Sequence, residues 1–385
     1  MTEFKFCVPC LFGLEGLAAQ ELRHMKCGDV QAENGRVTFS GDAAQMARVN
    51  LGLRTGERVL LKVGEVNAPT FDALFEGVKA MRWEDCIPRE GKFPVTGYTL
   101  NSTLHSVPDC QSIIKKAIVD RLGTKYHSTW LPETGAEYKV RFSIIKDLAE
   151  VYLDTSGTAL HKRGYRPVGA AAPMRETLAA GLIRVADYRG REPFRDPFCG
   201  SGTIAIEAAM IAMNRAPGLG RRFAAENWIS LPRNVWAPAR EEAKSAEFDR
   251  DYDIAAADID PACTELAREN ARRAGVDKKI RFLTADATKF DGMGANHGTI
   301  VVNPPYGERL LDAKEAAELA QKFGRAVKSA GDWKTVVITS DADYEKNFGL
   351  RAEKKRKLYN GMIKCDAYVF AAPSASRPGN YRRSR

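Results

Sequence analysis

The chain has 385 residues, enough for two or three domains that each bury a core. Its composition, 44% hydrophobic and 28% charged, excludes a wholly disordered or fibrous protein. A formal net charge of +9 and a pI near 9.1 favour a polyanionic partner, because lysine and arginine displace counterions from phosphates.

Residues 4–10 read as a strand, followed by apolar positions at helical spacing (Leu17, Leu22, Met25) as far as Gly28. Cys7 and Cys10 have the spacing of a metal half-site. No second Cys or His pair follows at zinc-finger spacing, so no metal is expected. Residues 30–39 alternate as a second strand, and a helix at 42–52 and a strand at 56–65 complete a small α+β unit over 1–65. A second unit, 66–160, carries an amphipathic helix at 71–81, a strand at 93–99, a helix at 109–122 and strands at 137–145 and 148–154. Lys115, Lys116 and Arg121 fall on its second helix. The loop Lys162 to Pro167 and the Gly/Ala/Pro stretch 169–173 mark a boundary.

Over 161–372, short apolar runs at 253–257, 280–283, 299–302 and 335–339 alternate with helical stretches at 203–214, 261–274 and 312–329. That is the pattern of an α/β, doubly wound, mostly parallel sheet, which binds ligands at the carboxyl ends of its strands. Residues 215–250 read as an insertion, and 373–385, with four arginines and no acid, as a disordered basic tail. The eight cysteines are scattered, no apolar signal core opens the chain, and no apolar run reaches the ~18 residues of a membrane span. The expectation is a reduced, cytoplasmic protein with no membrane partner.

Three constellations carry chemistry. Asp196-Pro-Phe-Cys-Gly-Ser-Gly-Thr203 is a strand end that turns through two glycines into a helix start, where free N–H groups and close backbone approach suit a nucleoside-type cofactor. The third glycine of a dinucleotide site is replaced by Ile204 and Ala205, which disfavours nicotinamide and flavin. Asp258, in Ala-Ala-Ala-Asp-Ile-Asp-Pro, is placed to hold ribose hydroxyls, provided the 215–250 insertion accounts for its distance from Gly202. Asp286, just past the third strand, can accept from an adenine amine. Asn303-Pro304-Pro305-Tyr306 follows the fourth strand. Its two prolines hold the backbone rigid, so that Asn303 Oδ1 and the Pro304 carbonyl project as fixed acceptors toward a planar amine, with Tyr306 as a stacking face.

Read in order, Asp-Pro-Phe-Cys-Gly-Ser-Gly-Thr, Asp-Ile-Asp-Pro and Asn-Pro-Pro-Tyr-Gly-Glu-Arg resemble a Rossmann-like class I methyltransferase. They are most similar to the bacterial 23S rRNA guanine-N2 methyltransferase family, and tRNA guanine-N2 enzymes share much of the pattern. The resemblance implies S-adenosylmethionine as cofactor, held by Asp196, Phe198, Gly200, Gly202, Thr203, Asp258, Ile259, Asp286 and Ala287. It implies Asn303, Pro304, Pro305 and Tyr306 at the target amine. It also covers the front of the chain, where Ser102 to Ser106, Gln111 and Lys115 to Ile118 resemble a THUMP RNA-binding domain preceded by a ferredoxin-like unit. RNA is then the partner, rRNA ahead of tRNA, with Lys115, Lys116, Arg121 and Arg163 as candidate contacts. The second methyltransferase domain of some fused members has no counterpart in these residues. Three other readings rank lower: an adenine-N6 methyltransferase, a dinucleotide oxidoreductase, for which His297 falls at the wrong end of the sheet, and a noncatalytic RNA-binding assembly factor.

Overall fold

The computed structural model describes residues 3–166, 174–305 and 313–373. Tyr306, the stretch 167–173 and residues 374–385 of the basic tail lie outside them. The chain divides into two compact units.

The first unit comprises Met1–Cys10, Ala18–Leu160 and Arg221–Ala243. Its elements are β1 (Phe4–Pro9), α1 (Glu15–His24), β2 (Gly28–Glu33), β3 (Arg36–Gly41), α2 (Ala43–Gly52), β4 (Leu60–Asn67), α3 (Phe71–Ala80), β5 (Val95–Leu100), α4 (Val107–Tyr126), β6 (Val140–Ile145) and β7 (Leu148–Asp154). One seven-stranded sheet runs β2-β3-β1-β4-β7-β6-β5. The expected single strand over 30–39 is two strands paired antiparallel. Asn34-Gly35 makes the turn, with Gly35 at φ +74°, and an Asn-Gly pair is the strongest short hairpin signal, which alternation alone passes over. The boundary expected at 65/66 falls inside β4, which pairs with β1 on one side and β7 on the other. The ferredoxin-like and THUMP parts therefore share one sheet.

The second unit comprises Leu11–Leu17, His161–Gly220 and Lys244–Arg385. In chain order it contains α5 (Glu176–Val185), β8 (Phe194–Asp196) and α6 (Thr203–Ala212). After the intervening α7 (Trp236–Ser245) come β9 (Ile254–Asp258), α8 (Pro261–Ala274), β10 (Arg281–Thr284), β11 (His297–Val302), α9 (Ala313–Ala330), β12 (Asp332–Thr339), α10 (Tyr344–Phe348), β13 (Lys354–Asn360) and β14 (Ile363–Phe370). The sheet order is β10-β9-β8-β11-β12-β14-β13. It is parallel from β10 to β12 and closes with an antiparallel hairpin, β13–β14, that periodicity did not reveal. The winding reverses between β8 and β11, and that switch point is where such sheets bind ligands. α6 is apolar nearly all round and buried, as a helix packed on several sides must be.

The insertion between α6 and β9 is real, but its central part, Arg221–Ala243, belongs to the first unit. Trp228 stacks on Tyr138 at 5.0 Å and donates Nε1–H to the Glu137 carbonyl, while Phe223 stacks on Trp236. Aromatic burial, not the polar and proline-rich composition around it, decides where this segment packs.

Candidate cofactor and target-amine site

β8 ends at the fully buried Asp196, and the chain then turns through Gly200 (φ +50°) and Gly202 (φ +82°) into α6. Both angles lie in the region glycine tolerates. At Gly202 a Cβ would stand 2.9 Å from that of Ala267 on α8, so this glycine also allows α6 and α8 to approach. At Gly200 an added Cβ would meet nothing within 4 Å, which leaves open space on that side of the loop for a ligand. Thr203 is buried at the first turn of α6, its hydroxyl 3.3 Å from that of Ser201.

Three strand ends converge on this loop. Asp258, last residue of β9, accepts the Gly200 N–H on Oδ2 (2.9 Å) and the Asp260 N–H on Oδ1 (3.1 Å). Each oxygen retains a second lone pair for a ribose hydroxyl. Asp260 caps α8 by accepting the Ala262 N–H, so the two aspartates of Asp-Ile-Asp-Pro divide the work. Between them Ile259, 70% exposed, presents an apolar side chain at the same edge. The Ala285 N–H bonds the Asp258 carbonyl, which brings Asp286 alongside with Ala287 buried behind it. Asp286 Oδ1 accepts the hydroxyl and amide of Thr288 at 2.7 and 2.8 Å. Those bonds, the hydroxyl first, hold its carboxyl below the usual range, and Oδ2 accepts nothing from the described residues.

Asp196 is different. Its Oδ1 accepts a long 3.4 Å bond from the Phe198 N–H, and its buried Oδ2 has no partner. Burial, aided by the charge of Asp258, pushes the carboxyl well above the usual carboxylate range. Asn303, directly after β11, likewise has a buried Oδ1 without a partner. It stands beside a cleft walled by Phe198, Pro304, Pro305, Thr339, Asp341 and Tyr344. Phe198 is fixed edge-on against Phe323 of α9 at 5.0 Å. The glycine loop and the Asn-Pro-Pro turn thus share a wall. His297 opens β11, at the opposite edge, and supplies no hydride relay.

The residues proposed from sequence for RNA fare differently. On a helix turning about 100° per residue, positions 115, 116 and 121 point in three directions, so they do not form one patch. Lys115 pairs with Glu133 (2.5 Å) and lies over the Phe93 ring at 3.6 Å, Lys116 lies over Phe75, and Arg121 makes a two-point bond to Glu84. Arg163 is buried against the buried Glu207 of α6, at 3.3 Å, and its guanidinium is not presented to a solvent polyanion. Sequence reasoning also missed Thr339, Asp341 and Tyr344. Their signal is a polar residue at the carboxyl end of an apolar run, which is where a parallel sheet places ligands.

Among the described residues no group of three or more His, Cys, Asp or Glu side chains is placed to hold a metal, and no helix is long and apolar enough to cross a membrane. The parallel order with its antiparallel closing hairpin, the glycine loop and the acids at successive strand ends define a class I methyltransferase, whose cofactor is S-adenosylmethionine. The chain belongs to the RMKL-like methyltransferase domain family, whose profile matches residues 163–368. The RlmL ferredoxin-like domain matches 5–60 and the THUMP domain 68–154. The chain is 44% identical to the "Putative RNA methyltransferase YpsC" of Bacillus subtilis, over 96% of each. It is 34% identical, over 94% of its own length, to the ribosomal RNA large subunit methyltransferase K/L of Psychromonas ingrahamii, of which it spans 49%. Among solved structures it resembles SMU.472, a "putative methyltransferase complexed with SAH" (TM-score 0.92, 40% identity, 97% and 99% of the two chains). It equally resembles a "predicted N6-adenine-specific DNA methylase" of Listeria monocytogenes (TM-score 0.92, 43% identity, 97% of each).

Proposed function

We propose that this methyltransferase acts on the exocyclic N2 amine of a guanine in RNA, with 23S rRNA as substrate. The observation that carries the reading is Asn303 Oδ1, buried and without a partner, in the residue before Pro304, which walls a cleft together with Phe198 of the cofactor loop. A buried amide oxygen left unbonded costs about 1–3 kcal/mol, and an amine N–H arriving in the cleft relieves that cost. The K/L relatives and the THUMP match support ribosomal RNA over DNA.

The residues fit the cofactor: an unpartnered buried carboxyl oxygen at Asp196, open space beside Gly200, spare lone pairs on Asp258 and a free Oδ2 on Asp286. Asp258, with Ile259, would hold the ribose, and Asp286, with Ala287, the adenine. S-adenosylmethionine supplies, when bound, a methyl group already activated on a sulfonium. What remains for the protein is alignment. Asn303 Oδ1 and the Pro304 carbonyl accept the two amine hydrogens and turn the nitrogen lone pair out of conjugation with the ring. Phe198 and the two prolines exclude water, and Tyr306 would stack on the flipped base. An amide is too weak a base to keep the released proton, which passes to bulk solvent as the methylated product leaves the cleft.

Eight free thiols fit a reducing cytoplasm. Mass spectrometry of nucleosides from separated 23S rRNA, 16S rRNA and tRNA tests the reading, comparing a strain lacking the gene with its parent. Loss of N2-methylguanosine from 23S rRNA is expected. Loss of it from tRNA alone overturns the substrate, and loss of a methylated adenine overturns the base.

A further inference from the structure

The strongest concentration of charge in the catalytic unit lies outside the site described above. Residues 351–364, Arg-Ala-Glu-Lys-Lys-Arg-Lys-Leu-Tyr-Asn-Gly-Met-Ile-Lys, hold six cations and one acid, in a chain whose formal net charge is +9. They form β13, the edge strand of the sheet, and its turn into β14. Lys354, Lys355, Arg356 and Lys357 are all exposed. Lys355 is held by Asp366 and Tyr368, and Arg356 by the Gly13 carbonyl. The side chains of Arg351, Lys354, Lys357 and Lys364 have no ion-pair partner among the described residues.

The register shows where this hairpin points. Thr339, the last residue of β12, pairs with Asp366, and Asp366 pairs with Lys357. The strands continue three residues further, to the Asn360–Ile363 pair. At ~3.3 Å per residue the tip stands about 10 Å beyond the carboxyl edge that carries Asp258 and Asn303. β13 is three strands from β11, about 14 Å along the sheet. The tip is also apolar: Met362 is 97% exposed, Ile363 51% and Tyr359 37%, with Phe12 edge-on to Tyr359. Lysines on an edge strand guard against edge-to-edge pairing. That guard needs charge alone and gives no reason to project a methionine into solvent above the active edge.

We propose that the β13–β14 hairpin is a second RNA-binding element, in the catalytic unit itself. Lys357 and Lys364, which the register places on one face of the hairpin with Tyr359, hold backbone phosphates near the target nucleotide, and Met362 with Tyr359 packs against a neighbouring base. This rests on the reading that the substrate is RNA. An apolar wedge beside a cationic strand is the combination that steadies a nucleic acid while one base leaves the stack. The role differs from that of the THUMP domain, because this element recognises the RNA around the reacting base.

The test is binding of protein-free 23S rRNA to the full chain over a range of salt concentrations, for the unaltered protein and for Lys357→Gln/Lys364→Gln. With each phosphate contact adding about 0.7–0.9 to the logarithmic salt slope, the double variant should lose about 1.4–1.8 of it while binding S-adenosylmethionine as before. An unchanged slope overturns the hairpin's role and leaves the RNA reading standing. An unaltered protein that neither binds nor methylates the RNA defeats that reading instead. Should the double variant aggregate, p-benzoylphenylalanine placed at position 362 decides: a photo-crosslink to the RNA is expected, and its absence overturns the proposal.

Discussion

Asp154, at the end of β7 in the first unit, and Asp196, at the end of β8 in the second, are both fully buried carboxyls, treated in opposite ways. Asp154 takes guanidinium bonds from Arg58 (2.6 Å) and Arg141 (2.8 Å) and amide bonds from Ser156 and Gly157. Asp196 has no cation beside it among the described residues, only weak amide contacts led by the long bond from Phe198, and its Oδ2 finds no partner at hydrogen-bond distance. A buried polar group costs least when fully bonded. The first pattern is what a scaffold requires. The second is tolerated where a ligand supplies the missing partner, and Asn303 repeats it after β11, the strand next to β8 in the sheet.

The largest expected effect lies on the catalytic side of this contrast. Asn303→Ala should lower single-turnover methyl transfer by about 10²–10³, the range for losing one aligned polar contact at a reacting group, with calorimetric cofactor affinity nearly unchanged. Asp258→Ala should do the reverse, because it releases the Gly200 N–H as well as the ribose. Equal loss of cofactor binding in both variants would erase the division between them.

On the scaffold side, Asp154→Leu leaves Arg58 and Arg141 side by side without a counter-charge. It should cost about 3 kcal/mol in urea unfolding, with cofactor affinity kept in the fraction that folds. A loss under ~1 kcal/mol would show that Asp154 is no more structural than Asp196.

Asp196→Asn sharpens the comparison through pH. A carboxyl whose folded pKa is raised binds its proton more tightly when folded, so stability falls as pH climbs from the usual carboxylate range toward the raised value. The variant should flatten that slope in ligand-free protein. A slope identical to that of the unaltered protein would place the titration elsewhere.

The smallest effect concerns Glu84, held down to about 2 by the hydrogen bond from Arg121. Its contribution is present above the usual glutamate value and is lost as pH falls toward about 2. Arg121→Gln should remove that acid-side loss and leave RNA binding nearly unchanged. A marked fall in RNA affinity would restore Arg121 as a contact.

What was legible in the sequence was local chemistry. Gly200 and Gly202 are read from the angles a tight strand-to-helix turn demands, and Asn303-Pro304-Pro305 from the rigidity of its backbone. What was not legible depends on partners distant in the chain. Arg163 looked like a free cation until Glu207, 44 residues on, was seen against it. The 215–250 segment read as an insertion, but the unit that its central part joins was hidden because Trp228 finds Tyr138 across 90 residues. Lys115, Lys116 and Arg121 looked clustered because adjacency in sequence was taken for adjacency on a helix. Thr339 and Asp341 entered the cleft only when the strand order placed β12 beside β11.

The most direct test of the central claim is methyl transfer by the purified chain, with labelled S-adenosylmethionine, to 23S rRNA prepared from a strain lacking the gene, followed by nucleoside analysis. The account predicts label in N2-methylguanosine alone, abolished by Asn303→Ala. Label in N6-methyladenosine, or equal labelling by the Asn303→Ala protein, would contradict it.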